Sequence, residues 1–581
     1  MSEAYIQKLR HAELPLHAQP PHVLTALNDI QRRNLSFFEQ REVQAQIGGF
    51  LFDDMGLGKT LSILAYLTLY PQHRTLIVVP TNVLHGWENE VKKHLEPGFL
   101  SLGFYYGKER NKPGSVLTQN ILLTTYATVA HEYNPETDSF HSHSLLHTQV
   151  FDRVVLDEAH AIRTRSSKQA KAAMCLMAKL RWCLTGTPIW NELADLYSLI
   201  AFIRLYPLAD FGFFKRTVID KVARQPRETF DYVCDFLVGV AIRHDKSVVL
   251  TGLKRIDRRL QLDLNARDAQ LYSRLRSLAH RKVTYLLAMY DHLQDLAAPA
   301  DIVSRVRFCT VSVLTQLRQA ATCIDIVFNG LSPDDYFRRC LGETSCCVCF
   351  NDQVSVTLHP CLHHLCVSCK DLLPCACPVP GCKSVPTSVV PATPEITLSG
   401  SVTYGALSTK TELVLDLLAK NPGQKFIIYT VWLRYLDTLA HWLTQRRINF
   451  RRIEGSVSAA RRTAIEQEFT TNPEVTVLIC SLTAASVGLN LQISNQVILV
   501  DVYWNEACPS QASSRVERLG QTADTVTIYQ LVARRTIDEA IVDMMDKKHQ
   551  VALTTMTGTT SRTNTMNWAN NIRLLMNTIF N

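Results

Sequence analysis

The chain has 581 residues, of which 46% are hydrophobic and 20% charged, enough material for several cores and about four domains. The net charge of +8 is spread along the sequence, which is compatible with a polyanionic partner without demanding one. No run of about eighteen apolar residues occurs and Met1 to Arg10 carries no apolar core, which argues against a membrane-spanning helix or a secretory signal and for an intracellular, reducing setting.

In chain order, residues 1–26 are polar, contain Pro15, Pro20 and Pro21, and read as a loosely packed leader. Val23 to Gln46 has a helical pattern. From Gly49 to about Leu205, short apolar runs alternate with helical stretches, the rhythm of a parallel α/β sheet. The expected strands are Gly49–Phe52, Thr75–Val79, Ile121–Thr125, Arg153–Leu156 and Arg181–Thr185. Residues 206–340 are dominated by helical periodicity and read as a helical insertion. Residues 341–385 hold a cysteine block, and 386–405 read as a linker. A second α/β rhythm fills 406–545, with strands at Lys425–Tyr429, Phe450–Ile453, Thr476–Cys480, Gln496–Val500 and Thr525–Gln530. The polar tail, 546–581, is expected to be partly disordered at its end.

The stretch Asp53-Asp54-Met55-Gly56-Leu57-Gly58-Lys59-Thr60 follows an apolar run and leads into Leu61, Ile63, Leu64 and Leu67 at helical spacing. That is the strand–loop–helix context of a phosphate-binding loop, although Asp53 stands where the strict pattern has glycine. Backbone N–H groups and the helix N-terminus would cradle phosphate, Lys59 would reach the terminal phosphates, and Thr60 would hold Mg²⁺. The Asp157-Glu158 pair ends the apolar run Val154-Val155-Leu156. Asp157 is placed to bind the same Mg²⁺, and Glu158 to orient or deprotonate a water.

Of 17 cysteines, nine fall between Cys346 and Cys382, which reads as metal binding before disulfides. The spacing fits a RING-type zinc finger with two Zn²⁺ ions. Cys346, Cys349, Cys366 and Cys369 would hold one, and Cys361, His363, Cys377 and Cys382 the other. Cys347, Cys375, His359 and His364 are alternative ligands.

Gln31, the Gly-Lys-Thr loop, the Asp157-Glu158-Ala159-His160 tetrapeptide and Thr185-Gly186-Thr187-Pro188 together resemble helicase superfamily two. The Pro80-to-Trp87 segment with Glu90, and the run from Leu184 to Leu193, narrow the resemblance to SWI/SNF-type, helicase-like, DNA-dependent ATPases. In the second half Gly455-Ser456, Gly488-Leu489-Asn490-Leu491, Asp501, Trp504-Asn505 and the block from Gln511 to Gln521 match as well. Asp53 is itself part of that family's loop. The pattern departs at Ala485-Ser486-Val487 and at Arg243-His244-Asp245-Lys246.

The resemblance implies two RecA-like lobes, 27–205 and 406–545, with the helical insertion and the RING-type module between them. It implies ATP bound by residues 53–60 with Gln31 on the adenine. Gly488, Arg515 and Arg518 would come from the second lobe, the two arginines as fingers. The expected partner is double-stranded DNA, contacted by the Pro80, Thr124-Thr125 and Gly488–Leu491 loops. The expected activity is translocation that remodels chromatin or DNA-bound proteins in transcription regulation or DNA repair. A RING between the lobes is the arrangement of DNA-damage-tolerance translocases with ubiquitin-ligase activity, which adds a ubiquitin-conjugating enzyme as partner. Compact versions resemble the global-transactivator proteins of large DNA viruses, and the expected location is the nucleus, the host's if viral. Rival readings are a strand-separating helicase and a non-catalytic transcription regulator.

Overall fold

Parallel strands need long crossovers and are buried on both faces, so they appear in sequence as near-continuous apolar runs. The computed structural model describes residues 14–44, 47–107, 118–142, 144–147, 149–189, 193–222, 226–246, 252–295, 300–328, 331–340, 354–359, 364–366, 388–391, 407–482, 489, 491–504, 507–518, 520–546, 572–573, 575–576 and 578–579.

The first sheet has seven strands: β1 (Gly49–Leu51), β2 (Thr75–Val79), β3 (Leu102–Phe104), β4 (Ile121–Thr125), β5 (Val150–Asp157), β6 (Met177–Leu184) and β7 (Ala241–Ile242). They lie in the order β3-β4-β2-β5-β6-β1-β7, all parallel. Every residue of β2 and β4 is buried. Each Leu, Ile or Val so covered stabilises the fold by roughly 1.5–3 kcal/mol relative to exposure. Cores form on both faces, one around Phe50, Leu76 and Phe202, the other around Leu35, Leu64 and Trp182.

The second sheet has six strands: β8 (Lys254–Leu262), β9 (Phe426–Thr430), β10 (Phe450–Ile453), β11 (Val477–Ser481), β12 (Gln496–Leu499) and β13 (Thr525–Ala533). Their order is β8-β13-β12-β9-β11-β10, again all parallel.

Several expectations need correction. The stretch 206–340 is not one helical insertion. Phe214, Val218, Val233 and Leu237 pack into the first lobe's core, and β7 and β8 are edge strands of the two sheets. The helices Ala266–Asp295 and Ala300–Thr322 share a core with Phe426, Ile428 and Ile498 of the second sheet. Strand β8 escaped notice because its sequence, Lys-Arg-Ile-Asp-Arg-Arg-Leu-Gln-Leu, is charged and mostly exposed, as suits a sheet edge.

The expected linker contains a strand, Ser388–Pro391, paired antiparallel with Val354–His359, which also pairs with His364–Cys366. The leader is tied down from about residue 15. Val23 bridges Leu95, His22 stacks on Phe99 at 3.6 Å, and the Leu24 N–H donates to the His94 carbonyl at 2.8 Å. In the tail, Ile572, Leu575, Met576 and Ile579 are buried in the second lobe's core, at the helical spacing their sequence already carries.

Candidate nucleotide site

In an open parallel sheet, ligands bind at the carboxyl ends of the strands. Register aligns those ends in one row: Leu51 lies opposite Leu184, Leu184 opposite Asp157, and Val79 opposite Thr125. The phosphate-type loop, the acidic pair and Thr185-Gly186-Thr187 therefore converge. The Thr185 N–H donates to the Leu51 carbonyl at 3.0 Å. A Cβ on Gly186 would sit 2.8 Å from Met55 Cγ, so glycine is what lets this segment lie against the loop.

The loop is shaped by two glycines with positive φ, +93° at Gly56 and +79° at Gly58. Gly58 caps the helix Lys59–Leu67, and a Cβ there would collide with Gln31 Nε2. Gln31 itself closes a capping box with Asn28 at the head of helix Asp29–Glu39, which fixes its side chain against the loop. The Lys59 ammonium, buried, donates to the carbonyls of Asp53 (2.7 Å) and Asp54 (3.2 Å). Burial lowers its pKa, while the carboxylates of Glu158, Asp53, Asp157 and Asp54 favour its charged form. Thr60 is half-buried on the first turn of that helix.

Asp53 and Asp54 hold the loop rather than face into it. Asp53, fully buried, accepts from Asn34 Nδ2 at 2.7 Å and from the His244 backbone N–H at 2.8 Å, and lies 2.8 Å from His244 Nδ1. Asp54 accepts from Arg243 Nη2 at 2.9 Å and from the Lys246 N–H at 3.2 Å. Residues 243–246, where the family pattern departs, thus clasp the base of the loop. Asn34 went unnoticed in the sequence. Its one signal is its place three residues after Gln31, on the same helical face.

Asp157 ends β5, buried. Its Oδ2 accepts from the Trp87 indole N–H at 2.8 Å, and its Oδ1 from the Glu158 N–H at 2.9 Å. The Tyr126 hydroxyl donates to its main-chain carbonyl at 2.8 Å. Burial, then the Glu158 carboxylate, push the Asp157 carboxyl up to about 6. Glu158 sits in the left-handed region (φ +47°, ψ +50°), a strain concentrated at functional sites. Its Oε2 is buried with no hydrogen-bond partner among the described residues; His160 Nδ1 lies 3.4 Å away. Burial lowers the His160 pKa, and the Glu158 carboxylate works the other way.

Arg515 and Arg518 reach the same cleft from the second lobe. Gly56 abuts Arg518 so closely that a Cβ there would lie 3.0 Å from its Cγ. Arg515 is buried and Arg518 half-buried, and desolvation presses on their charged forms. Glu158 and Asp157 support Arg515, and Glu90, Glu466 and Glu158 support Arg518. Between them, Glu517 takes Lys246 Nζ and Arg255 Nη1, each at 3.2 Å, fastening the block to the chain that crosses from β7 to β8. The Leu491 N–H donates to the Arg515 carbonyl at 3.2 Å.

Gly488 and Ala485-Ser486-Val487 lie outside the described residues. So do the expected zinc ligands Cys346, Cys349, Cys361, His363, Cys369, Cys377 and Cys382, while Cys366 is described only as part of its strand. Among the described residues no cluster of three or more His, Cys, Asp or Glu suits a metal ion.

Residues 30–320, about half of the chain, match the SNF2-related domain. The chain belongs to the SNF2-related domain family. Residues 409–520 match the helicase conserved C-terminal domain. Among relatives of this SNF2-related chain, DNA repair protein RAD5A of Arabidopsis thaliana is 27% identical over 519 residues, covering 82% of this chain and 50% of the relative. The Helicase-like transcription factor of Homo sapiens is 26% identical over 527 residues, with coverage of 82% and 50%. The chain thus spans about half the length of these curated relatives. Of solved structures, the Sulfolobus solfataricus SWI2/SNF2 ATPase core in complex with dsDNA covers 94% of this chain and 96% of its own, with 22% identity and a TM-score of 0.40.

Proposed function

We propose that this chain is an ATP-dependent translocase on duplex DNA that remodels chromatin or DNA-bound proteins in transcription regulation or DNA repair, in the nucleus. The observation that carries the reading is the cleft in which Lys59, Asp157 and Glu158 of one sheet meet Arg515 and Arg518 of the other. The donor set fits Mg·ATP: two glycines leave a cradle that a Cβ would fill, and Glu158 Oε2 is buried without a hydrogen bond among the described residues. Lys59 and the N–H groups of the loop would hold the phosphates, Gln31 the adenine, and Thr60 and Asp157 a Mg²⁺ that neutralises charge on the departing phosphate. Glu158 would orient the attacking water, and Arg515 and Arg518 would stabilise the charge that builds in the transition state. Because those arginines belong to the second lobe, hydrolysis depends on lobe closure, and cycles of closure would step the motor along a backbone.

The measurement is ATPase rate with no nucleic acid, single strands, duplex DNA, nucleosomes and RNA. Duplex DNA is expected to stimulate it, with affinity falling steeply as salt rises. Lys59→Ala is expected to abolish hydrolysis. A Lys59→Ala chain that keeps DNA-stimulated activity sinks the proposal, and strand displacement in a gel assay favours a true helicase.

A second reading, a ubiquitin ligase carried to DNA by the motor, is favoured by the cysteine spacing between 346 and 382. The purified chain is expected to hold two zinc ions by elemental analysis, lowered by Cys349→Ala, with autoubiquitination lost in the same variant. Zinc-free protein that retains its fold removes this reading.

A further inference from the structure

Strand β8 is the outermost strand of the second sheet, paired along all nine of its residues with β13 and with nothing on its other side among the described residues. The Lys254 N–H donates to the Asp524 carbonyl, and the Leu262 carbonyl accepts from the Arg534 N–H. Lys254, Ile256, Arg258, Leu260 and Leu262 therefore turn their main chain toward β13. Alternate residues of a parallel strand face the other way, which aims the N–H and C=O groups of Arg255, Asp257 and Gln261 outward. At about 3.3 Å per residue the edge is roughly 30 Å long, room for one more strand.

A long open edge invites unwanted pairing, and proteins guard it with charge. Four of the nine residues of β8 are Lys or Arg and only one is acidic, so the edge carries a surplus of cations. Lys254, Arg255, Arg258 and Arg259 are all exposed. Two of the arginines are engaged: Arg255 grips Asp257 through bonds of 2.8 and 2.9 Å, and Arg259 grips Asp546 at 2.8 and 3.1 Å. Arg258 makes no ion pair or side-chain hydrogen bond among the described residues. The three arginines border a groove of about 560 Å³ that is also lined by the buried apolar side chains of Leu499, Ile528 and Val542. Main-chain partners, uncompensated positive charge and an apolar recess thus lie side by side. A second copy of β8 would set cations against cations. A nucleic-acid backbone would meet outward carbonyls and the carboxylates of Asp257 and Asp546, and has nothing to bury in the recess. An extended acidic peptide answers all three features.

We propose that the open edge of β8 binds an extended acidic segment of a partner protein as an added strand, its carboxylates toward Arg258 and its neighbours and an apolar side chain in the groove. Main-chain bonds supply affinity in this mode, and the charge that turns away neutral and basic strands selects an acidic one. The inference stands apart from the nucleotide cleft and does not depend on what the motor acts on.

The test uses the full chain and a fluorescein-labelled peptide of alternating glutamate and valine, followed by fluorescence anisotropy. The peptide is expected to bind, and its glutamine counterpart to bind at least about tenfold more weakly. Arg258→Glu is expected to weaken binding at least about tenfold, because it sets like charge against like. Gln261→Pro is expected to weaken it at least about fivefold, since it deletes an outward N–H and leaves the ladder to β13 intact. An unchanged thermal midpoint shows that each variant is folded, and Arg258→Glu decides the matter alone if Gln261→Pro does not fold. The inference is overturned by a glutamate peptide that fails to bind up to about 1 mM, or by wild-type affinity in either folded variant. Equal binding of the glutamine peptide overturns it too. So does a short DNA duplex that displaces the peptide and loses affinity by the same factor in Arg258→Glu, which makes the edge a nucleic-acid contact instead.

Discussion

Arg518→Ala is expected to hydrolyse ATP about 10³- to 10⁵-fold more slowly than the wild type at saturating ATP and duplex. At roughly 1.4 kcal/mol per decade, this is ~4–7 kcal/mol of transition-state stabilisation. The expectation follows from placement. Arg518 lies against Gly56, its charge supported by Glu90 of the first lobe and by Glu158, in a buried cleft where charge interactions are strong. A fluorescent ATP analogue is expected to bind with affinity close to wild type, because the finger acts on charge that develops after binding. Lysine is a poor substitute, since it offers a point charge in place of a planar fork. A variant whose single-turnover rate stays within tenfold of the wild type excludes Arg518 as a finger. Arg515, which faces Asp157 and Glu158, is expected to behave in the same way.

Lys410→Ala is expected to lower the unfolding free energy by ~3–5 kcal/mol, measured by urea denaturation. Lys410 is fully buried in the second lobe, its ammonium 2.6 Å from Asp538 Oδ2 and donating to the Val500 carbonyl at 2.7 Å. Truncation strands the Asp538 carboxylate in the core. Burial already holds that carboxyl above its ordinary range, with Lys410 pulling the other way. Stability linked to a raised carboxyl pKa is present below its unfolded value and lost as pH rises through its folded value. Removing the opposing cation widens that loss, so the deficit of Lys410→Ala is expected to be larger at pH 8 than at pH 5. The double variant Lys410→Met, Asp538→Leu is expected to recover most of the stability, because it leaves no uncompensated charge. A Lys410→Ala deficit below ~1 kcal/mol, or one independent of pH, contradicts this account.

The family-pattern residues outside the cleft have structural tasks that the motif alone did not reveal. Asp501 accepts from Thr430 Oγ1 and the Val431 N–H, and from Thr322 Oγ1 of the helix Ala300–Thr322. Arg318 of that helix sits among the rings of Trp432, Tyr503 and Trp504, 5.3–5.7 Å from their centroids. Both weld the helices between residues 266 and 322 to the second sheet.

From its residues alone the chain declared two parallel α/β units, because strands buried on both faces must be apolar throughout and glycine-rich turns must separate them from helices. It also singled out Lys59, Thr60, Asp157 and Glu158 as candidates for one site, since phosphate and Mg²⁺ limit which side chains can serve them. Local pattern could not say which sheet β8 would join, because a charged edge strand has no apolar period to betray it. Nor could it say that Asp53, a residue of the phosphate loop, would turn to Asn34 and His244, or that Trp87 and Tyr126 would meet on Asp157. Those partners lie 19 to 191 residues apart in the chain. Such hydrogen bonds leave no trace in sequence periodicity, and only the closing of the sheet at its carboxyl edge brings them within reach.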